Sequence, residues 1–364
     1  MNLINKKSFI LLIVLAFSIV SLLSINGCEG PEGPAGADGI DGIDGTDGTD
    51  GTDGVAGNLS CLGCHTSAKM DTIETSFSLS GHAAGHYVGY AGSRGSCARC
   101  HSHEGFMDFL AGYPGEDIAN PSAWRCGTCH GNHRSLEDNI TAPLNTDGPI
   151  ASISIPGTTY DFGNSSNLCG TCHQSRRAYT YYEEIDSVWT DDVNGNDSLD
   201  FVVPDGQVYI NSSHAGPHHG PQVNVLFGEG GYGTSSTDTH STLGCVSCHM
   251  GETGVTDGGH TFNPNVASCN VEGCHTDVTD FDIDGAQTTF NTRMTAIAEA
   301  LVTAGALSYD ADDESYHPVK GLVSNDVFQA FYNYMICYED HSHGVHNPSY
   351  FNTLLTMAEA KLDL

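Results

Sequence analysis

The stretch Cys169-Gly170-Thr171-Cys172-His173 sets two thiols and an imidazole within five residues. The pattern recurs as Cys61-Leu62-Gly63-Cys64-His65, Cys97-Ala98-Arg99-Cys100-His101, Cys126-Gly127-Thr128-Cys129-His130 and Cys245-Val246-Ser247-Cys248-His249. A wider copy, Cys269-Asn270-Val271-Glu272-Gly273-Cys274-His275, separates its thiols by four residues. With 14 Cys and 19 His in 364 residues, chance supplies roughly 0.03 matches to Cys-x-x-Cys-His, so five copies are a built feature. Two thiols on one turn add across the two vinyl groups of a haem, and the next histidine falls under the iron as its proximal ligand. The wide copy needs a bulge in that turn and keeps the same attachment. Zinc knuckles and redox disulfides also use Cys-x-x-Cys, but neither requires a histidine after every pair. Twelve of the 14 cysteines are thereby assigned, leaving Cys28 and Cys337. Cys337 lies in an apolar helical run and reads as a small packing residue.

Six proximal histidines leave thirteen others: His82, His86, His103, His133, His214, His218, His219, His240, His260, His317, His341, His343 and His346. An iron capped on both faces is low-spin and has no open position, which suits electron passage; an open face suits ligand activation. Thirteen histidines for six second faces permit full capping. His82, His133, His240 and His260 flank attachment motifs and are the expected second ligands. His214, His218 and His219 share one or two further places, in an interval from Cys172 to Cys245 that is long for a structureless loop. His86 and His103 stand in reserve.

Acidic residues number 45 against 12 Lys and Arg, a formal charge of -33. Phosphate needs cationic partners, so a nucleic-acid binder is excluded. At the start, Lys6-Lys7 precede an apolar run from Phe9 to Leu23, the layout of an export signal over residues 1–27. The run is short for a bilayer span. Ile25-Asn26-Gly27-Cys28 resembles a bacterial lipobox, with Ile25 where Leu is usual, so Cys28 is the expected lipidation site and membrane anchor. From Gly30 to Gly57 glycine holds every third position, the collagen period. Asp38, Asp41, Asp44, Asp47, Asp50 and Asp53 fill most third places; their mutual repulsion favours a solvated tether over a triple helix. Extended at ~3.1 Å per residue, it would reach on the order of 85 Å.

Ser80-Gly81-His82, followed by the Cys97 motif and Glu104-Gly105-Phe106, resembles the multihaem c-type cytochromes of metal-reducing bacteria. His214-Ala215-Gly216-Pro217-His218-His219-Gly220-Pro221-Gln222 is similar to the same group, some of whose members polymerise into extracellular filaments. Gly344-Val345-His346-Asn347-Pro348 resembles the C-terminal region of larger multihaem cytochromes, and the likeness implies that His346 also caps a haem. The resemblance covers roughly residues 58 to 364. It implies electron relay at the outer membrane or cell surface, with other redox proteins or extracellular metal acceptors as partners. Two rivals are a reductase of nitrite, hydroxylamine or an oxyanion with one open iron, and the subunit of a conducting filament. All six motifs end in His and none in Lys, which counts against the first; the lipobox counts against the second.

The motifs begin 36, 29, 43, 76 and 24 residues apart, too close for each haem to own a domain. The expected fold is therefore a multihaem cytochrome c: mostly irregular chain with short helices packed around stacked haems over 58–280, and a helical C-terminal segment over 281–364. Apolar periodicity places helices at Thr292–Ala306 and Val327–Tyr338, with another opening at Pro348. Short strands are expected at Ile153–Ile155 and Phe201–Val203. Asp192-Val193-Asn194-Gly195-Asn196-Asp197-Ser198-Leu199-Asp200 alternates oxygen donors as a calcium loop would. Lacking the Gly and bidentate Glu of an EF-hand, it reads first as a solvated acidic loop.

Overall fold

Apolar spacing late in the chain decides where side chains pack on one another. The computed structural model describes residues 65–113, 115–131, 143–190, 198–251 and 257–364, which belong to one unit, Asn58–Leu364. The export signal, the tether, Cys28, Cys61, Cys64, His133 and residues 192–197 of the acidic loop lie outside the described residues.

Helix α1 (Ala286–Thr303) buries Phe290, Met294, Ile297, Ala298 and Leu301, one stripe at helical spacing. It starts earlier than its expected Thr292, because Phe290 continues the same stripe. Helix α2 (Asn325–Asp340) is capped by the Ser324 hydroxyl, which accepts from the Val327 amide. It buries Phe328, Phe331, Tyr332, Met335, Ile336 and Cys337, so nearly its whole circumference is covered. Helix α3 (Pro348–Lys361) opens on Asn347, whose side chain accepts from the Tyr350 amide, with Pro348 in the first turn. Its buried face is Tyr350, Phe351, Leu354, Leu355 and Ala358.

A helical description of 281–364 is incomplete, because strands lie between these helices. Leu307–Asp310 pairs with Ser315–Pro318 as a hairpin. Gly321–Ser324 pairs antiparallel with Gln207–Ile210 from the middle of the chain, bringing Val208 and Ile210 into the same core.

Before residue 281 regular structure comes in short pieces. Helices Ser67–Ser78, Gly81–Ala84, Gly95–His101, His103–Leu110, Cys126–Cys129, Ser166–Gly170, Gln222–Leu226 and Thr239–His249 carry or flank the attachment motifs. A small second core joins Ile150, Tyr160 and Val223, with Phe162 and Phe227 against them. Ile153–Ile155 is not a strand. The pairing lies to either side, Ile150–Ala151 with Thr159–Tyr160, while Ile155 accepts from the Thr158 amide (3.2 Å) around Pro156-Gly157. Phe201 and Val202 do end a strand, Ser198–Val202, paired with Ser187–Thr190; Val203 lies just beyond it. Among the described residues no helix is long and apolar enough to cross a membrane.

Candidate functional site

The short helices surround a cavity of about 2790 Å³, well above the ~300–1,000 Å³ of a pocket for one drug-sized ligand. Cys97, Cys100, Cys126, Cys129, Cys169, Cys172, Cys245, Cys248 and Cys269 line it, as do His65, His101, His130, His173 and His249. Its walls are mostly apolar. One continuous space thus serves several motifs, and the motifs adjoin one another. The Cys100 and Cys172 side chains adjoin each other, as do those of Cys169 and Cys245. Arg99 donates to the Thr171 carbonyl (2.9 Å), tying the Cys97 motif to the Cys169 motif.

Two local conformations place the thiols. Gly244, just before Cys245, has φ +66° and kinks Thr239–His249; a Cβ there would meet the Ser166 hydroxyl at 2.6 Å. In the wide motif Gly273 has φ +89°, and the His275 amide reaches back to the Cys269 carbonyl (3.3 Å). The equivalent closures, His130 to Cys126 (2.9 Å) and His173 to Cys169 (3.0 Å), span two fewer residues. The expected bulge therefore leaves the closure of the turn intact.

The histidines meet in pairs drawn from distant parts of the chain. Ring centroids lie 6.1 Å apart for His82 and His173, 6.1 Å for His130 and His260, 6.1 Å for His249 and His346, and 6.3 Å for His240 and His275. Two metal–nitrogen bonds of about 2.0–2.1 Å plus two ring radii of about 1.1 Å span roughly 6.3 Å. The pairs have the separation needed to share one metal ion, so the residues present fit a haem iron. Each pair joins one motif histidine to one lying elsewhere.

Hydrogen bonds at Nδ1 leave Nε2 as the nitrogen that could bind a metal. His173 uses Gln222 Oε1 (3.3 Å), His130 the Pro143 carbonyl (3.3 Å), His249 the Phe262 carbonyl (2.8 Å) and His240 the Val345 carbonyl (2.7 Å). His346 uses both oxygens of Asp340, at 2.8 and 3.0 Å. Burial, with His173 close by, pushes the His82 pKa down to about 4, and burial likewise lowers His173, His249 and His260. They are neutral at pH 7, the state a metal ligand requires. Burial also opposes charge on His346, but the Asp340 carboxylate outweighs it and the pKa rises. Trp124 and Phe262 pack edge-on against the His82 ring, each at 4.9 Å between centroids.

His214, His218 and His219 also line the cavity. His218 and His219 adopt φ of 74° and 40°, a left-handed conformation that costs of order 1–3 kcal/mol per non-glycine residue. The buried Glu339 carboxyl holds them there, accepting from the His219 amide at 2.5 Å and from the His218 amide. Both rings lie within electrostatic reach of His101. His103 faces elsewhere, bonded to the Thr128 hydroxyl (2.7 Å), and neither it nor His86 lines the cavity. Outside the paired imidazoles, Asp310, Asp313 and His317 bring three donor atoms within 4.8 Å on an exposed hairpin. There Asp313 (3.0 Å) and Ser315 (2.8 Å) already occupy the His317 Nε2. Glu339 and Asp340, adjacent at the end of α2, carried no sequence signal, because acidic residues are common throughout this chain.

No family model matches the chain. Over 211 residues it is 27% identical to the "C-type polyheme cytochrome OmcB" of two strains of Geobacter sulfurreducens, a match covering 49% of this chain and 27% of that protein. The chain thus spans about a quarter of the length of the curated relatives it matches. The crystal structure of outer cell wall cytochrome OcwA superposes at a TM-score of 0.49 and 20% identity, over 79% of this chain and 49% of that one. An undecahaem cytochrome from the S-layer of Carboxydothermus ferrireducens gives a TM-score of 0.42 at 19% identity, over 74% of this chain and 38% of its own. The resemblance carried by the repeated motifs has its counterpart in the sequence match: over about half of its length the chain is similar to a C-type polyhaem cytochrome.

Proposed function

We propose that the chain is an electron carrier with six c-type haems, attached at Cys61/Cys64, Cys97/Cys100, Cys126/Cys129, Cys169/Cys172, Cys245/Cys248 and Cys269/Cys274. The carrying observation is the set of four imidazole pairs at metal-sharing distance, each uniting a motif histidine with one from a remote segment. Haem supplies the one-electron iron couple. His82, His260, His346 and His240 would hold iron together with His173, His130, His249 and His275 respectively. The His218–His219 turn, held by Glu339, serves His101, with His214 beside it. At the four paired sites two imidazoles would exclude substrate from the metal, which favours relay over reduction of nitrite, hydroxylamine or an oxyanion there.

Adjacent thiols support an order for the relay. The Cys169 motif is the hub, touching the Cys97 motif through Cys100–Cys172 and the Cys245 motif through Cys169–Cys245. Electrons would enter and leave along this line. The export signal, Cys28 and the acidic tether support a surface lipoprotein that holds residues 58–364 off the outer membrane. Its negative charge suits cationic redox partners or metal-bearing acceptors through long-range attraction.

Haem stoichiometry combined with low-temperature EPR tests this reading. Six covalent haems per chain, essentially all low-spin, are expected. Fewer haems, or a substantial high-spin fraction that takes up carbon monoxide, would replace the relay with a reductase; fibres under electron microscopy would favour the filament.

A further inference from the structure

Among the imidazoles held at Nδ1 within the four pairs, one has a different kind of partner. Gln222, Pro143, Phe262 and Val345 offer neutral oxygens to His173, His130, His249 and His240. His346 gives its Nδ1 hydrogen to a carboxylate, Asp340, in contact with both oxygens. The Asp340 side chain is 0% exposed. Its Oδ2 also accepts the Ser342 amide (3.2 Å), and among the described residues its one ion-pair partner is His346. A carboxylate taken out of water is costly unless positive charge lies beside it. Asp340 also ends α2, and a helix C-terminus adds about half a negative charge at the same point.

We propose that Asp340 is a positioning residue for the His249–His346 site, fixing the His346 tautomer and making this the lowest-potential of the four paired sites. The inference rests on the haem reading above. Asp340 stabilises whichever state of its neighbour carries more positive charge, and oxidation adds one unit. A hydrogen bond to an anion also makes the imidazole a stronger donor through Nε2, which again favours the oxidised metal. The carbonyl and amide oxygens at the other three sites exert only partial charges. Buried as it is, Asp340 acts with little screening by water or salt. Within the relay, this site would be the last of the four to accept an electron and the first to release one.

The full-length, haem-loaded Asp340→Asn protein tests the inference. Asparagine keeps an acceptor oxygen of the same shape and removes the charge. In a potentiometric titration followed by absorbance and EPR, one midpoint should rise. The expected change in that site's oxidised-to-reduced ratio is about tenfold or more, ~59 mV per decade for one electron, with every iron still low-spin. Asp340→Glu should restore the low potential. An unchanged titration curve in a low-spin Asp340→Asn protein overturns the inference. Should that variant fail to mature, NMR of the unaltered protein decides, by following haem methyl signals during stepwise reduction. The haem on Cys245 and Cys248 must then be the last of the four to reduce, and any other order overturns the proposal. Failure of the haem reading looks different, as missing haems or high-spin iron in the unaltered protein.

Discussion

The segment from α1 to α3 and the region that carries the attachment motifs are built on opposite plans. In the first, Phe328, Phe331, Tyr332, Leu354 and Leu355 lie at or below 1% exposure and fill their own interior. In the second, the equivalent central space is a cavity ringed by thiols and imidazoles, with Ile150, Tyr160 and Val223 as a minor apolar knot. Close packing of side chains stabilises the late helices on their own account. The motif region buries less apolar surface of its own, and the proposed haems would supply packing there. One chain therefore joins a core of late helices, completed by Tyr182, Val208, Ile210, Ala215 and Val225, to a region arranged around a cavity. The strand Gln207–Ile210, paired with Gly321–Ser324, stitches the two together.

The largest effect expected from this contrast follows removal of an attachment site. With Cys169 and Cys172 both changed to Ser, amide exchange in 95–131 and 166–175 should speed up by on the order of 10²-fold or more, while α2 and α3 stay protected. Uniform loss of protection would mean that the late core is not independent. Next, Phe331→Ala should cost about 3–5 kcal/mol in urea unfolding followed by circular dichroism, with the low-spin signals of the folded protein unchanged. A shifted haem spectrum would show that the two plans are coupled more tightly than their packing suggests.

Smaller still is the effect of opening one face. His82→Ala should turn one iron high-spin and admit about one carbon monoxide per chain, whereas His103→Ala, outside any pair, should leave the EPR spectrum as it was. Acidity probes the seam between the regions. Burial raises the Glu339 pKa to about 8, so the folded protein holds a proton there that the unfolded chain, near pH 4.3, has released. Stability should therefore fall as pH rises from about 4.3 towards 8. Glu339→Gln should flatten that part of a melting-temperature profile. The weakest expectation lies on the late helices. Arg293 grips Glu359 with two bonds (2.6 and 2.8 Å) at a quarter-exposed site, and Arg293→Ala should cost about 1 kcal/mol.

How much was legible in the chain depends on how local each feature is. The attachment motifs were legible as patterns, because each is confined to five or seven consecutive residues. The three late helices were legible from apolar periodicity, with only their ends displaced. The hairpin Leu307–Asp310/Ser315–Pro318 was not, since Leu307 alone of its first strand is buried and no alternation marks it. Ile153–Ile155 looked like a strand because β-branched residues cluster there, yet Pro156 and Gly157 make it the turn.

By itself, then, the sequence determined six Cys-Cys-His motifs, thirteen further histidines and the helical periodicity of the late segment. Only the tertiary structure decided which histidine faces which. His82 meets His173 across 91 positions, His130 meets His260 across 130, and His249 meets His346 across 97. It alone set Asp340 on His346 and Glu339 under His218 and His219. The physical reason is that a covalent attachment is closed within one turn of backbone. The paired imidazoles and the buried Glu339 gain their meaning only from neighbours that folding brings from elsewhere along the chain, and even Asp340 meets His346 only through the turn that follows α2.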